Sequence, residues 1–223
     1  MDKKKEKSGR FLDFGCGTGK ILSEAQDRYD VYGIDMSDFR IQKARERLGD
    51  SEGRKIINIH ELDEASFREK FDVVHGHQTL EHLLDPVHYL KKFYEWLKPR
   101  GILYASSPTA DSFAFSFLGN INQMATLGHV SLFNKKSLTH ALRLIGFEEI
   151  QFRHIILDIP AVDFWKKIFN IDFVHNHSFI NSKLLIIVLY PLMLVTTAVL
   201  QVLASAGILK GNYFYVFAKK PEK

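Results

Sequence analysis

The sequence of 223 residues predicts an α/β fold in which helices cover both faces of a mainly parallel sheet. Short apolar runs of strand length alternate with longer segments whose apolar residues recur at helical spacing. This alternation is typical of parallel sheets, because each connecting helix packs back onto the sheet. A hydrophobic content of 46% at this length allows one sizeable core. The sequence therefore predicts one doubly wound domain over residues 1–223.

The predicted elements follow one another without repeats or low-complexity linkers. A strand beginning at Phe11 runs into a glycine-rich turn and a helix over Thr18–Tyr29. The later elements are a strand at Val31–Ile34, a helix at Ser37–Leu48, strands at Lys55–His60 and Phe71–His75, a helix from Asp85 to Leu97, a strand at Ile102–Ser106, a helix at Ser137–Leu144, and strands at Glu148–Ile156 and Tyr213–Ala218. Ser37 is expected to cap its helix, and Pro86 suits a first helical turn.

The glycine-rich turn is Gly15-Cys-Gly-Thr-Gly19, directly after the first strand. Glycines at a strand-to-helix turn let a ligand approach the backbone closely, because no Cβ stands in the way. The second strand ends at Asp35, and an acid at the tip of the neighbouring strand can accept both hydroxyls of a ribose. The pattern predicts a cofactor that contains a nucleoside.

Two details favour one class of cofactor over a dinucleotide. The dinucleotide fingerprint is G-x-G-x-x-G, whereas here the spacing is G-x-G-x-G and Lys20 stands at the third glycine position. Asp13, two residues before the first glycine, would repel a pyrophosphate. A ligand with a ribose and a cationic amino-acid tail suits this turn better.

Leu12-Asp-Phe-Gly-Cys-Gly-Thr-Gly19 followed by Gly33-Ile-Asp35 resembles the class I S-adenosylmethionine-dependent methyltransferases. The segments that match the ubiquinone-biosynthesis-like branch of these enzymes are Phe71-Asp-Val-Val74, Leu80-Glu-His-Leu83, Leu97-Lys-Pro-Arg-Gly101, His129-Val-Ser-Leu-Phe133 and Leu144-Ile-Gly-Phe147. The resemblance covers about residues 10–158 and 212–220. It implies a Rossmann-like sheet of seven strands, with the last strand antiparallel and inserted between the fifth and sixth.

The resemblance also implies a set of residues for S-adenosylmethionine. Asp13, Gly15 and Gly17 would face its methionine part, and Asp35 would bind its ribose. Met36 would lie beside the adenine, whose edge would meet the loop after the third strand. The full implied set is Asp13, Gly15, Cys16, Gly17, Gly19, Asp35, Met36, Leu62, Asp63 and His77.

Methyl transfer needs an acceptor held near contact distance, exclusion of water, and a base where the acceptor carries a proton. His77, at the end of the fourth strand, and His129, in the loop after the fifth, are predicted as bases or orienting groups. The alternative for either histidine is a hydrogen bond to the backbone. Some ubiquinone-pathway relatives with a pair such as Glu81-His82 use a divalent cation. Here no further carboxylate stands at ligand spacing, so the pair is given a structural role and no metal site is predicted.

Residues 160–211 are predicted to form an apolar helical insertion before the last strand. The segment from Leu184 to Leu209 carries no charge and exceeds the length of about 20 residues that a membrane-spanning helix needs. Pro191 would kink it, and the last strand must return to the same side as the sheet. A hairpin or interfacial helix that dips into a membrane satisfies both constraints. A helical cap over the site and a homodimer contact are the alternatives.

Composition and motifs restrict the classes of function. One cysteine and the absence of an opening secretory signal predict a cytoplasmic protein, at the cytoplasmic face of a membrane if the insertion enters one. The net charge of +4 is dispersed, and no Asn-Pro-Pro-Tyr-like signature follows the fourth strand, so a nucleic-acid substrate is disfavoured. The leading hypothesis is methyl transfer to a small-molecule or lipid-linked acceptor, as O-methylation at a membrane surface. The alternative is a non-catalytic membrane-associated protein that binds S-adenosylmethionine.

Overall fold

Strands and helices alternate along the residues that the computed structural model describes, which are 7–49, 55–112, 128–155, 191, 194–200, 202–203 and 206–222. The strands are β1 (Arg10–Phe14), β2 (Asp30–Asp35), β3 (Lys55–Asn58), β4 (Phe71–His77), β5 (Leu97–Pro108), β6 (Glu148–Ile155) and β7 (Tyr213–Lys219). The longer helices are α1 (Lys20–Ala25), α2 (Asp38–Leu48), α3 (Pro86–Trp96) and α4 (Lys135–Ile145).

The strands form one seven-stranded sheet in the order β3-β2-β1-β4-β5-β7-β6. Strand β7 pairs antiparallel with both β5 and β6, and the other neighbours are parallel. This confirms the α/β class and the inserted antiparallel last strand. In such a sheet the carboxyl ends of the parallel strands share one edge, which is where ligands bind.

Two apolar clusters hold the helices against the two faces of the sheet. On one face, Phe14 and Val74 pack against the inner sides of α3 and α4, including Phe93 and Leu138. On the other face, α1 and α2 cover β1, β2 and β3. Strands covered on both sides are apolar at successive positions, which explains the short continuous apolar runs in the sequence.

Several elements end elsewhere than the sequence pattern predicts. Strand β3 stops at Asn58 rather than His60, because the Asn58 side chain accepts the His60 N–H at 3.0 Å and starts a 3₁₀ turn over Ile59–Glu61. Helix α1 begins at Lys20 rather than Thr18, because Gly19 has a left-handed backbone with φ of 74°. Strand β4 continues to His77, two residues beyond the predicted end, along its parallel pairing with β5.

The predicted insertion over residues 160–211 lies mostly outside the described residues. Within the described part, Pro191 and residues 194–200 and 202–203 are helical. None of the helices in the described ranges has both the length and the apolar character needed to cross a membrane. The choice between a membrane hairpin, a cap and a dimer contact stays a prediction.

Candidate active site

The glycine turn is tied to the end of β2 by its own backbone. The N–H groups of Gly15 and Cys16 donate to the carbonyl oxygen of Ile34 at 2.8 and 3.0 Å. Gly15 and Gly17 have φ of 79° and 53°, in the left-handed region that side chains rarely adopt. The sequence alternation of glycine and other residues therefore reflects a backbone conformation that only glycine adopts readily.

The three glycines have different local surroundings. A Cβ on Gly15 would lie 2.6 Å from Thr79 Oγ1, and one on Gly19 would lie 2.9 Å from Ala44 Cβ. A Cβ on Gly17 would meet no atom within 4 Å. Gly15 and Gly19 are thus needed for close packing inside the protein, whereas Gly17 leaves open space over the turn.

Beside this turn lies a cavity of about 450 Å³. Its volume is within the range of roughly 300–1,000 Å³ that small-molecule pockets occupy. The lining residues are Phe14, Gly15, Ile34, Asp35, Met36, Arg40, Ile59, Gln78, Thr79, His82, Leu83 and Gly128. They come from the carboxyl ends of β1, β2 and β4 and from the loops that follow β3 and β5, at the edge expected for a ligand.

Asp35 joins the glycine turn to the start of α2. Its Oδ2 accepts the Gly17 N–H at 2.8 Å, and its Oδ1 accepts the Ser37 N–H at 3.0 Å. The residue is buried and lines the cavity. Because a carboxylate oxygen can accept more than one hydrogen bond, both oxygens can still accept hydroxyls from a ligand.

Two carboxylates give the turn a negative potential. Burial, together with the charges of Asp13 and Asp35, raises the pKa of the Cys16 thiol far above its ordinary value. Cys16 is therefore a neutral, buried packing residue that contributes its backbone to the turn. The same potential favours a ligand that carries positive charge near the turn.

Of the residues predicted near the adenine, Met36 lines the cavity, whereas Leu62 and Asp63 do not. Met36 lines the cavity with 75% of its surface exposed. Leu62 packs against the main core, and Asp63 caps a 3₁₀ turn by accepting the Ala65 N–H at 3.2 Å. Ile59 supplies the cavity wall at this point instead.

His77 lies on a face of the sheet, whereas its neighbours Gln78 and Thr79 line the cavity. Its Nδ1 is 2.6 Å from Ser106 Oγ, and its ring stacks on Tyr215 with centroids 6.2 Å apart. Burial and the neighbouring His75 lower the pKa of His77. A role for His77 in binding or catalysis stays a prediction.

His82 is the histidine that lines the cavity, although the sequence pattern favoured His77 and His129. Its Nδ1 lies 2.7 Å from the carbonyl oxygen of Gly128. A carbonyl only accepts, so Nδ1 carries the hydrogen, and in the neutral ring Nε2 has a free lone pair. His129 packs edge-on against His82 with ring centroids 5.0 Å apart. No pattern in the sequence predicts this contact, because the two histidines belong to different loops.

Glu81, His82 and His129 form a cluster whose possible ligand atoms lie within 4.8 Å of one another. Glu81 is 1% exposed, and its Oε2 has no hydrogen-bond partner. One carboxylate and two imidazoles form a donor set that suits Zn²⁺ or Mn²⁺ better than Ca²⁺. A divalent cation here would satisfy the buried oxygen. The sequence predicted no metal site, because no further carboxylate stands at ligand spacing. The third possible ligand is His129, which the fold brings to the Glu81-His82 pair.

Replacing Glu81 with glutamine is expected to stabilise the metal-free protein at neutral pH. Burial raises the pKa of Glu81 above its ordinary value of 4.5. The unfolded chain therefore ionises first as pH rises through that value, and the free energy of unfolding falls. Glu81→Gln should be more stable than the wild type at neutral pH and no more stable below the ordinary carboxyl pKa. Chemical denaturation at several pH values measures this difference.

Glu81 lies in a 3₁₀ turn over Leu80–His82. Its control is Glu61→Gln, which changes an exposed glutamate in the 3₁₀ turn over Ile59–Glu61 and should leave stability unchanged. Adding Zn²⁺ or Mn²⁺ should stabilise the wild type and not Glu81→Gln. A Glu81→Gln protein that is no more stable than the wild type at neutral pH would contradict the burial argument.

Comparison with known proteins supports one family. The model of a methyltransferase domain matches residues 1–151. The ubiquinone biosynthesis O-methyltransferase of Cereibacter sphaeroides is 39% identical over 116 residues, which are 49% of this chain and 46% of the relative. The enzyme of the same name from Ruegeria pomeroyi is 36% identical over 116 residues, with the same shares. The chain thus spans about half the length of the curated relatives it matches.

Solved structures share the fold at low sequence identity. A methyltransferase of Thermotoga maritima has a TM-score of 0.59 at 17% identity, covering 96% of this chain and 84% of its own. The phosphoethanolamine N-methyltransferase 2 of Haemonchus contortus, in complex with S-adenosyl-L-methionine, has a TM-score of 0.59 at 19% identity, covering 97% of this chain and 50% of its own. Since the domain model matches well over half of the sequence, including the glycine turn and Asp35, the chain belongs to the methyltransferase domain family.

Proposed function

We propose that this chain is an S-adenosylmethionine-dependent methyltransferase that acts on a hydroxyl group of a small-molecule or lipid-linked acceptor. The observation that carries the proposal is one cavity with two chemically distinct walls. Gly15 of the glycine turn and Asp35 line one part of this cavity, and His82 lines the part that follows β4. The O-methyltransferase names of the relatives support an oxygen acceptor, and the solved complex of a fold neighbour supports the cofactor.

The cofactor wall fits the nucleoside and the charge of S-adenosylmethionine. Asp35 is positioned to accept ribose hydroxyls while it holds the Gly17 N–H. The open space over Gly17 admits the ligand against the backbone. Asp13 and Asp35 give the turn the negative potential that attracts a cationic methionine end. Met36 and Ile59 offer apolar surface to the adenine.

When bound, S-adenosylmethionine supplies an electrophilic methyl group on its sulfonium. Nε2 of His82 is available to take the hydroxyl proton as the acceptor oxygen would bond to the methyl carbon; the carbon–sulfur bond would break and leave the sulfur as a neutral thioether. Phe14, Ile34 and Leu83 give the cavity apolar walls, which limit water near the reacting atoms. The protein's main contribution is position, since a displacement at a methyl carbon needs an aligned acceptor.

The acceptor is proposed to be presented at the cytoplasmic face of a membrane. Large apolar side chains close in sequence to cavity-lining residues are exposed, with Leu84 at 91% and Val130 at 53%. Val130 follows the Gly128 and His129 segment, and Leu84 follows Leu83 of the cavity wall. Exposed apolar side chains favour contact with lipid over contact with water.

Transfer of a labelled methyl group from S-adenosylmethionine tests the proposal. The full chain is incubated with the lipid fraction and, separately, with the aqueous fraction of a cell extract. Label in the lipid fraction supports a lipid-linked acceptor, and label in the aqueous fraction supports a soluble one. His82→Ala should lower kcat/KM by about 10²–10⁴-fold, the usual contribution of a general base.

The matched control is His88→Ala, which removes an exposed histidine at the start of α3 and should leave transfer unchanged. Loss of transfer on chelation, with recovery on adding Mn²⁺, would assign His82 to a metal ion that polarises the acceptor. Methyl transfer that continues in the presence of the chelator would indicate that His82 removes the hydroxyl proton directly. Full activity of His82→Ala would contradict its place in the mechanism.

A further inference from the structure

His75 is a buried histidine that the cavity does not use directly. It lies in β4 opposite Asp13 of β1, in the register of the two parallel strands. The His75 Nδ1 is 2.8 Å from Asp13 Oδ1, and the two side chains are 4% and 3% exposed. A carboxylate only accepts, so the Nδ1–H donates to it.

The surroundings of this pair are otherwise aromatic. The rings of Phe11 and Tyr104 pack on His75 with centroids 5.7 and 5.1 Å away. Burying two groups that can carry charge among such rings costs free energy that an apolar pair would avoid. Packing alone therefore gives no reason for a histidine and an aspartate at these positions.

Asp13 connects the pair to the proposed cofactor site. It lies at the end of β1, two residues before Gly15, which lines the cavity. Its charge acts on the Cys16 thiol together with that of Asp35, so its field reaches the glycine turn. The hydrogen bond from His75 uses Oδ1 of Asp13, which leaves Asp13 Oδ2 available to a further donor.

We propose that His75 is a positioning residue for the methyl donor: its Nδ1–H holds the Asp13 carboxylate so that Oδ2 and the negative charge face the cationic methionine end. This inference rests on the proposed function, because it needs S-adenosylmethionine at the glycine turn. His75 acts through Asp13 and does not touch the ligand.

Affinity for S-adenosylmethionine and for S-adenosylhomocysteine, measured by titration calorimetry on the full chain, tests the proposal. His75→Asn places an amide N–H near the position of Nδ1 and should retain affinity within about threefold. His75→Gln moves the N–H towards the position of Nε2, away from Asp13. His75→Gln and His75→Leu should each weaken S-adenosylmethionine binding by roughly 10- to 100-fold. The loss should be smaller for S-adenosylhomocysteine, which lacks the sulfonium charge.

A double-mutant cycle tests whether His75 acts through Asp13. Asp13→Asn should weaken binding by itself, and adding His75→Leu to it should cause less than about a twofold further loss. If His75→Leu fails to fold, the comparison of His75→Gln with His75→Asn gives the answer. Thermal unfolding of each variant separates folding from affinity.

Two results would overturn the positioning role while leaving the cofactor assignment intact. The first is wild-type affinity in folded His75→Leu or His75→Gln. The second is an equal loss from His75→Leu with and without Asp13→Asn, which would mean that His75 acts by another route. Absence of binding by the wild type itself would overturn the proposed cofactor and the positioning role together.

Discussion

Asp35→Ala is expected to weaken S-adenosylmethionine binding by about 1–3 kcal/mol, through the loss of hydrogen bonds to a charged group. The substitution removes the acceptor for the N–H groups of Gly17 and Ser37, at 2.8 and 3.0 Å. It also removes the proposed acceptor for the ribose hydroxyls. The turn would lose its tie to α2 at the same time as the ligand loses its partner. Titration calorimetry with the folded variant measures the effect.

The control for Asp35 lies at the opposite end of the same strand. Asp30 forms an ion pair with Lys7 at 3.0 Å, and its side chain is 46% exposed. Asp30→Ala should leave affinity unchanged, because exposed ion pairs contribute little and this one is far from the turn. Wild-type affinity in folded Asp35→Ala would refute the ribose assignment. An equal loss in both variants would indicate a general effect on β2.

Phe93→Ala should lower the free energy of unfolding by about 3–5 kcal/mol, the cost of emptying a buried aromatic site. Phe93 of α3 is completely buried. Its ring lies 5.0 Å from that of Phe14 and 5.8 Å from that of Trp96, between centroids. Because Phe14 also lines the cavity, the loss should loosen the cavity wall as well as the core. Urea denaturation of the full chain measures the free energy.

Phe39→Ala is the matched control, since it removes the same side chain from another helix. Phe39 of α2 is 68% exposed, and Lys43 Nζ lies 6.0 Å from the centroid of its ring. The change should stay within about 0.5 kcal/mol, as is usual for surface substitutions. Similar losses in the free energy of unfolding from both variants would contradict the inference that the buried side of α3 stabilises the core.

Asp35 and Phe93 are expected to distinguish ligand binding from the stability of the fold. Asp35 is expected to affect affinity more than the fold, and Phe93 the fold more than affinity. Glu81 is expected to oppose folding in the absence of a metal ion, since its buried oxygen lacks a partner. A site that keeps an unsatisfied carboxyl beside two histidines is under a constraint other than stability, which supports a role in binding.

The sequence by itself determined the strand and helix order, the glycine turn and the acid at the end of β2. These features follow from local rules: apolar spacing selects strand or helix, and a left-handed backbone selects glycine at Gly15 and Gly17. The placement of Gln78 and Thr79 at the cavity is consistent with the same local rules, since they follow directly after a parallel strand.

Only the tertiary structure decided which histidines meet which partners. The alternation of side chains along β4 already places His75 and His77 on one face of the sheet, where their rings stack with centroids 6.2 Å apart. The register of β1 and β4 brings Asp13 to His75, and a loop brings His129 to Glu81 and His82. Such contacts join residues far apart in the chain, so they depend on strand register and loop path. Local sequence preferences specify neither strand register nor loop path, because both depend on how the elements pack together around the core.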